Sequence, residues 1–173
     1  MYKKLIYIIL TLFFCIEYSF AKDNPNLRFL DLNYLINNSI AGKKIIDKLK
    51  SKNQNLVEKH NKIEKKLKDK SDELNTQQNI LEKNQFEKNL FDHRQNIKDF
   101  QKLVNDDFSN LNNEKMQMTN KLLKNIDQVM LSYVKTNKID MIVKKESLII
   151  SNSDFDITSF ILTTLDKNYK SIE

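Results

Sequence analysis

The fold is decided by AGKKIIDKLKSKNQNLVEKHNKIEKKLKDKSDELNTQQNIL, residues 41–81, and LFDHRQNIKDFQKLVNDDFSNLNNEKMQMTNKLLKNIDQVMLSYV, residues 90–134. The stretch from Ala41 to Val134 holds no Pro, and its only Gly, Gly42, stands at its start. Apolar residues recur on a helical beat at Ile46, Leu49, Leu56, Ile63, Leu67, Leu74 and Leu81. The beat resumes at Leu90, Ile97, Val104, Phe108, Leu111, Met118, Leu122, Ile126, Val129 and Tyr133. Steps of three, four and seven place these side chains on one stripe of a helix. The stripe is thin: continuing Leu49, Leu56 and Ile63 by heptads reaches Lys70 and Gln77, and Asn53 and His60 also fall on the seam. So polar a helix cannot be buried all round, and a lone one would lack the packing that stabilises most helices. Folding the stretch back on itself, seam to seam, meets both constraints.

The fold-back is placed by a slip in the beat at Glu82-Lys83-Asn84-Gln85-Phe86-Glu87. Asn84 and Glu87 have capping-box spacing, which predicts a new helix from about Gln85 and a tip near 82–87. Arms of roughly 44 and 48 residues would each run about 65–70 Å at ~1.5 Å per residue.

Outward of the arms, strands are expected. Leu27-Arg28-Phe29-Leu30-Asp31-Leu32 alternates at first and reads as a strand. Tyr34-Leu35-Ile36 suits one helical turn, and Ser39 is placed to cap the first arm. After the arms, Ile139–Val143 and Ser147–Ser151 read as two strands of a hairpin across Lys144-Lys145-Glu146. Asp156 is then expected to cap a last helix with Ile157, Phe160, Ile161 and Leu165 on one face. The reading is α+β, mostly α: a helical hairpin arm over 41–135, on a small β-containing body formed by 22–40 and 136–173. A small sheet with open edges tends to pair with other chains. Several copies joined edge to edge would bury Leu30, Leu32, Ile142, Ile149 and Ile150.

Residues 1–21 read as a signal peptide. Lys3 and Lys4 precede the apolar run Leu5–Ile16, and Ser19-Phe20-Ala21 fits a small-x-small cleavage site. Cleavage would remove Cys15, the one cysteine, so an exported chain is expected to do without disulfides. Oligomerisation is then the obvious route to stability.

Charged residues make up 30% and mean hydropathy is −0.58, so the core must be small. One Gly and one Pro leave no room for a Gly-rich phosphate loop or a nucleophile elbow. Neither His60 nor His93 has a partner at metal-ligand spacing. His60 is expected as a polar seam residue and His93 as a solvated one. Asp106-Asp107 and Asp72-Glu73 are adjacent in sequence and so diverge on a helix. No catalytic, cofactor or metal site is expected. The net charge of +6 is concentrated on the outgoing arm, where residues 41–84 carry 12 Lys against 7 acids. Some of these lysines are expected in ordinary surface pairs, Asp47 with Lys43 or Lys44 and Asp69 with Lys65 or Lys66. The remainder form either a solvated face or an attractive lining for acidic chains or anionic lipid heads. Nucleic acid is disfavoured by export and by the lack of aromatic interleaving.

In its order of elements the chain resembles the Skp, or OmpH-like, family of periplasmic chaperones. The resemblance rests on Phe29-Leu30-Asp31-Leu32-Asn33, on Ser39-Ile40-Ala41-Gly42-Lys43, on Ile139–Val143 followed by Leu148-Ile149-Ile150, and on Phe155-Asp156-Ile157-Thr158. It implies a homotrimer: a β-barrel body built from three chains, carrying three helical hairpins in a jellyfish-like shape. Unfolded outer-membrane proteins would be held in its cavity without ATP, in the periplasm of a Gram-negative cell. Lys59, Lys62, Lys65, Lys66, Lys68 and Lys70 are then candidates for attracting clients. Phe86, Phe91, Phe100 and Leu103 are candidates for apolar contact, and Leu30, Leu32, Ile142, Ile149 and Ile150 for trimerisation. The rival from another class is a structural or adaptor coiled coil of the cell envelope.

Overall fold

The computed structural model describes residues 25–171, so the expected signal peptide lies outside the described residues. The chain runs β1 (Leu27–Leu30), α1 (Leu32–Asn38), α2 (Ile40–Gln77), α3 (Lys83–Asn137), β2 (Met141–Lys144) and α4 (Thr158–Asn168), with single 3-10 turns at Lys145–Ser147 and Ser153–Phe155. It is mostly helical.

Short polar side chains start the first helices. The Asp31 carboxylate accepts the Tyr34 N–H at 2.8 Å and opens α1. Ser39, extended at ψ 152°, ends α1 and opens α2 as expected: its Oγ accepts the Gly42 N–H at 3.1 Å. The two helices meet at a corner so tight that a Cβ on Gly42 would lie 1.8 Å from the Ile36 carbonyl oxygen.

The arms are 38 and 55 residues long, about 57 and 83 Å at ~1.5 Å per residue. Both the Ile80 and Leu81 N–H groups donate to the Gln77 carbonyl, closing the turn over residues 78–82. The Asn84 cap is corrected. Glu82 is the extended residue before α3 and makes no side-chain cap bond, so Asn84 already lies inside the first helical turn. The arms pack antiparallel. Lys48 and Lys52 near the root of α2 meet Glu114 of α3, while Lys59 and His60, further out, meet Asp107. The expected pairs of Asp47 and Asp69 with their neighbouring lysines do not form. Acids of α3 draw lysines across the seam instead. The stripe is also rotated slightly at the root, where Ile45 rather than Ile46 is buried.

At the far end of α3, Lys138 adopts the left-handed conformation (φ 51°, ψ 48°) and turns the chain into β2. Asn26 secures this corner. Its Nδ2 donates to the carbonyls of Asn137 and Lys138, both at 3.1 Å, and its N–H to the Asp140 carboxylate at 2.7 Å.

The sheet differs from expectation. β2 pairs with β1 in parallel, Leu27 opposite Met141 and Leu30 opposite Lys144, rather than with residues 147–151 in a hairpin. After Lys144 the chain coils into a 3-10 turn, and Leu148 N–H donates back to the Lys145 carbonyl. Residues 149–152 then form no strand, and β1 closes its other side through a single bridge to Asp156. Most of the core lies at this base, with Leu74 far out on α2 buried separately between the arms. Leu30, Leu35, Ala41 and Ile45 pack with Leu122, Ile126 and Val129 of α3 and with Ile157, Ile161 and Leu165. Ile157, not the expected Asp156, is the cap residue of α4; the Asp156 carboxylate one residue earlier accepts the Thr158 N–H at 2.8 Å, and Phe160 turns outward from the expected buried face.

Candidate functional site

Two surfaces stand out, one between the arms and one at the base. The seam contains few large apolar pairs, so polar residues enter it. His60 is buried, with Nε2 2.9 Å from the Asp107 carboxylate and ring neighbours Phe100 and Phe108 at 6.0 Å. Lys59 reaches the same carboxylate at 3.1 Å. The His60 contact first, and Lys59 second, hold the Asp107 carboxyl below the ordinary aspartate range. Lys52 and then Lys48 do the same for Glu114, and Lys70, followed by Gln77, for Glu73.

Nearer the tip an open groove of about 560 Å³ runs along the paired arms, lined by Ile63, Lys66, Leu67, Lys70, His93, Asn96, Asp99, Phe100 and Leu103. His93 was expected in solvent and is instead 6% exposed, its Nδ1 buried without a hydrogen-bond partner among the described residues. It stands three residues after Leu90 and four before Ile97, so the helical beat marks its position, and only its polarity kept it out of the expected seam. The groove brings together four candidate contact residues: Lys66, Lys70, Phe100 and Leu103. Phe100, a candidate for client contact, is half-buried against His60. Phe108, expected in the seam, is instead partly exposed.

The other candidates scatter. Lys62, Lys65 and Lys68 are exposed on α2, whereas Lys59 and Lys70 are engaged with Asp107 and Glu73. Phe86 is half-buried, but Phe91 is 68% exposed beside Arg94 and Lys98. Ile80, at 78% exposure in the tip turn, joins it as an apolar contact that sequence reading passed over. A turn flanked by polar residues gives no periodicity from which its exposure could be read.

At the base, β2 has β1 as its one ladder partner among the described residues. Along β2, over the end of α3, runs an apolar groove of about 560 Å³ whose lining includes Leu32, Met130, Leu131, Val134, Met141 and Ile142. On the far side of the sheet, Ile149 and Ile150 are 100% and 91% exposed. Leu30 differs from the other trimerisation candidates, because it is buried in this chain's own core.

Both hollows are largely apolar with charges at their edges, Lys66, Lys70 and Asp99 between the arms and Asp127, Asp140 and Lys144 at the base. Among the described residues no cluster of three His, Cys, Asp or Glu side chains could hold a metal ion, and no helix is long and apolar enough to cross a membrane.

Comparison with known proteins agrees with the fold. The model of the family described as outer membrane protein (OmpH-like) matches residues 27–165. A crystal structure from Caulobacter crescentus CB15, described as a candidate outer membrane chaperone (OmpH-like), superposes with a TM-score of 0.80 at 13% identity. That match covers 87% of this chain and 89% of the other. No curated protein matches the sequence.

Proposed function

The chain belongs to the OmpH-like family of outer membrane proteins, and from that premise we infer that it is a periplasmic chaperone of the holdase kind. In this reading it binds unfolded outer-membrane β-barrel proteins, shields them without ATP and releases them unchanged. The observation that carries it is the contrast between the ends of the molecule. Two rods of 38 and 55 residues stand on a base that holds nearly all the buried apolar residues. Rods of that length add little to the stability of one chain, so their use is to present surface. The surface they present is a lysine-rimmed groove with scattered apolar contacts, suited to many weak, sequence-blind interactions. Binding the unfolded form alone shifts its equilibrium by mass action and needs no catalytic step.

Three copies are proposed to join at the base. The open edge of β2 and its apolar groove are what a neighbouring chain would cover, with Leu32, Ile142, Ile149 and Ile150 at the junction. Three hairpins would then surround a shared space, with Lys62, Lys65, Lys66 and Lys68 raising the capture rate of acidic clients at low salt. Export through a cleaved leader would place the protein in the periplasm. Contact with anionic lipid heads is a weaker corollary of the same charge.

The test is to dilute a denatured outer-membrane porin into buffer containing the purified mature protein. Light scattering should fall as chaperone approaches a small molar excess, and several unrelated unfolded porins should be protected alike. Unchanged aggregation at excess chaperone would defeat the reading. Capture of a single folded partner only would favour the adaptor.

A further inference from the structure

A second hollow lies at the base, away from both surfaces above, in the angle between α3 and α4. Its walls are two ladders at helical spacing. Along α3 stand Gln128, Ser132 and Thr136; along α4 stand Phe160, Thr164 and Asn168. Residues four apart share a helix face, so each ladder is continuous. The floor is Val129 with the Tyr133 ring, which meets Phe160 at 4.8 Å and an interplanar angle of 51°. The hollow measures about 340 Å³, at the small end of ligand sites.

Its composition is unusual for this protein. No lining residue is charged, in a chain where 30% of residues are. The walls nevertheless keep free hydrogen-bonding capacity. The Thr136 and Thr164 hydroxyls donate back to the carbonyls of Ser132 and Phe160, which leaves their oxygens able to accept. The side chains of Gln128, Ser132 and Asn168 make no hydrogen bond among the described residues and are exposed. Phe160 packs against Tyr133 and is still 54% exposed.

We propose that this hollow binds an uncharged saccharide. A sugar ring has an apolar C–H face that stacks on an aromatic ring and a rim of hydroxyls that both donate and accept. Amides and hydroxyls answer that rim in both senses, whereas lysine can only donate and carboxylate can only accept. An anionic ligand would find no cation here, and a purely apolar one would strand the amides. The Phe160 ring, propped by Tyr133, supplies the flat surface, and the ladders on either side set the span.

The experiment is calorimetric titration of the full mature chain with maltotetraose and chitotetraose, alongside a charged oligogalacturonate and an uncharged Gly-Ser peptide. The expected result is saturable binding of at least one neutral saccharide, weaker by tenfold or more for the charged sugar and the peptide. Gln128→Ala and Asn168→Ala, both at exposed rungs, should each weaken it several-fold while leaving the circular-dichroism melt in place. Phe160→Ala should weaken it most. No saturable binding of either neutral saccharide would overturn the proposal. So would equal binding of the peptide, or unchanged affinity in all three variants.

Discussion

Replacing Gly42 with alanine sets two physical effects against each other. Helix propensity alone favours alanine by about 1 kcal/mol, because glycine loses more backbone freedom on folding. The packing of α1 against α2 opposes it. The new Cβ would stand 1.8 Å from the Ile36 carbonyl oxygen and 2.9 Å from both Ile36 C and Ser39 Oγ. Contacts below 3.0 Å are not tolerated, so the Ile36 carbonyl must retreat by more than an ångström. That carbonyl is backbone and cannot rotate away like a side-chain end, and it belongs to the helix that buries Leu35. Overpacking of this kind costs about 1–3 kcal/mol. Opening the corner also strains the Ser39 cap on Gly42 N–H, and loss of such a cap costs about 1 kcal/mol. Against the propensity gain, net destabilisation of roughly 1–3 kcal/mol remains. For a chain of this length that is a fall of roughly 2–12 °C in midpoint. The assay is thermal unfolding by circular dichroism at matched protein concentration, with Ser39→Ala as the control for the cap alone. A Gly42→Ala protein that melts at or above the parent temperature would refute the reasoning, since propensity would then have prevailed over the corner.

Further outcomes follow from other sites. Lys138→Gly relieves a left-handed residue at the end of α3 and should stabilise by about 0.5–1 kcal/mol, read as a shift in urea midpoint with unchanged slope. His93→Leu replaces a buried, unpartnered imidazole nitrogen with a seam-filling side chain. It should raise the urea midpoint by the equivalent of about 1 kcal/mol, and a loss would show that Nδ1 is satisfied after all. Acidification should loosen the arms. The carboxyls of Asp107 and Glu114 are held below their ordinary values by inter-arm partners, so their contribution is present above those values and is lost as pH falls through the lowered ones. Helical ellipticity followed from pH 7 to 2 should therefore fall at the acid end, and Asp107→Asn with Glu114→Gln should flatten that limb.

Local signals found most of the elements. The beat of apolar residues named the arms, Ser39 named the start of α2, and the alternation from Leu27 named the first strand; Ile139–Val143 overlaps the observed β2, whereas the strand expected at Ser147–Ser151 does not form. The groove between the arms was half legible: its lysines, Phe100 and Leu103 were singled out, while His93, at seam spacing from Leu90 and Ile97, was passed over because its side chain is polar. No local signal marks Asn26, yet it ties the end of α3 to the start of β1 across more than a hundred residues.

By its own pattern the chain decided which segments coil, which extend and which side chains avoid water, because each of those choices depends on neighbours a few residues away. The tertiary structure alone decided the partners. It set β2 beside β1 rather than beside residues 147–151, and made Gly42 the one residue small enough for the corner of α1 and α2. The reason is geometric: periodicity states that a face must be covered, while the distance between two backbones states what can cover it.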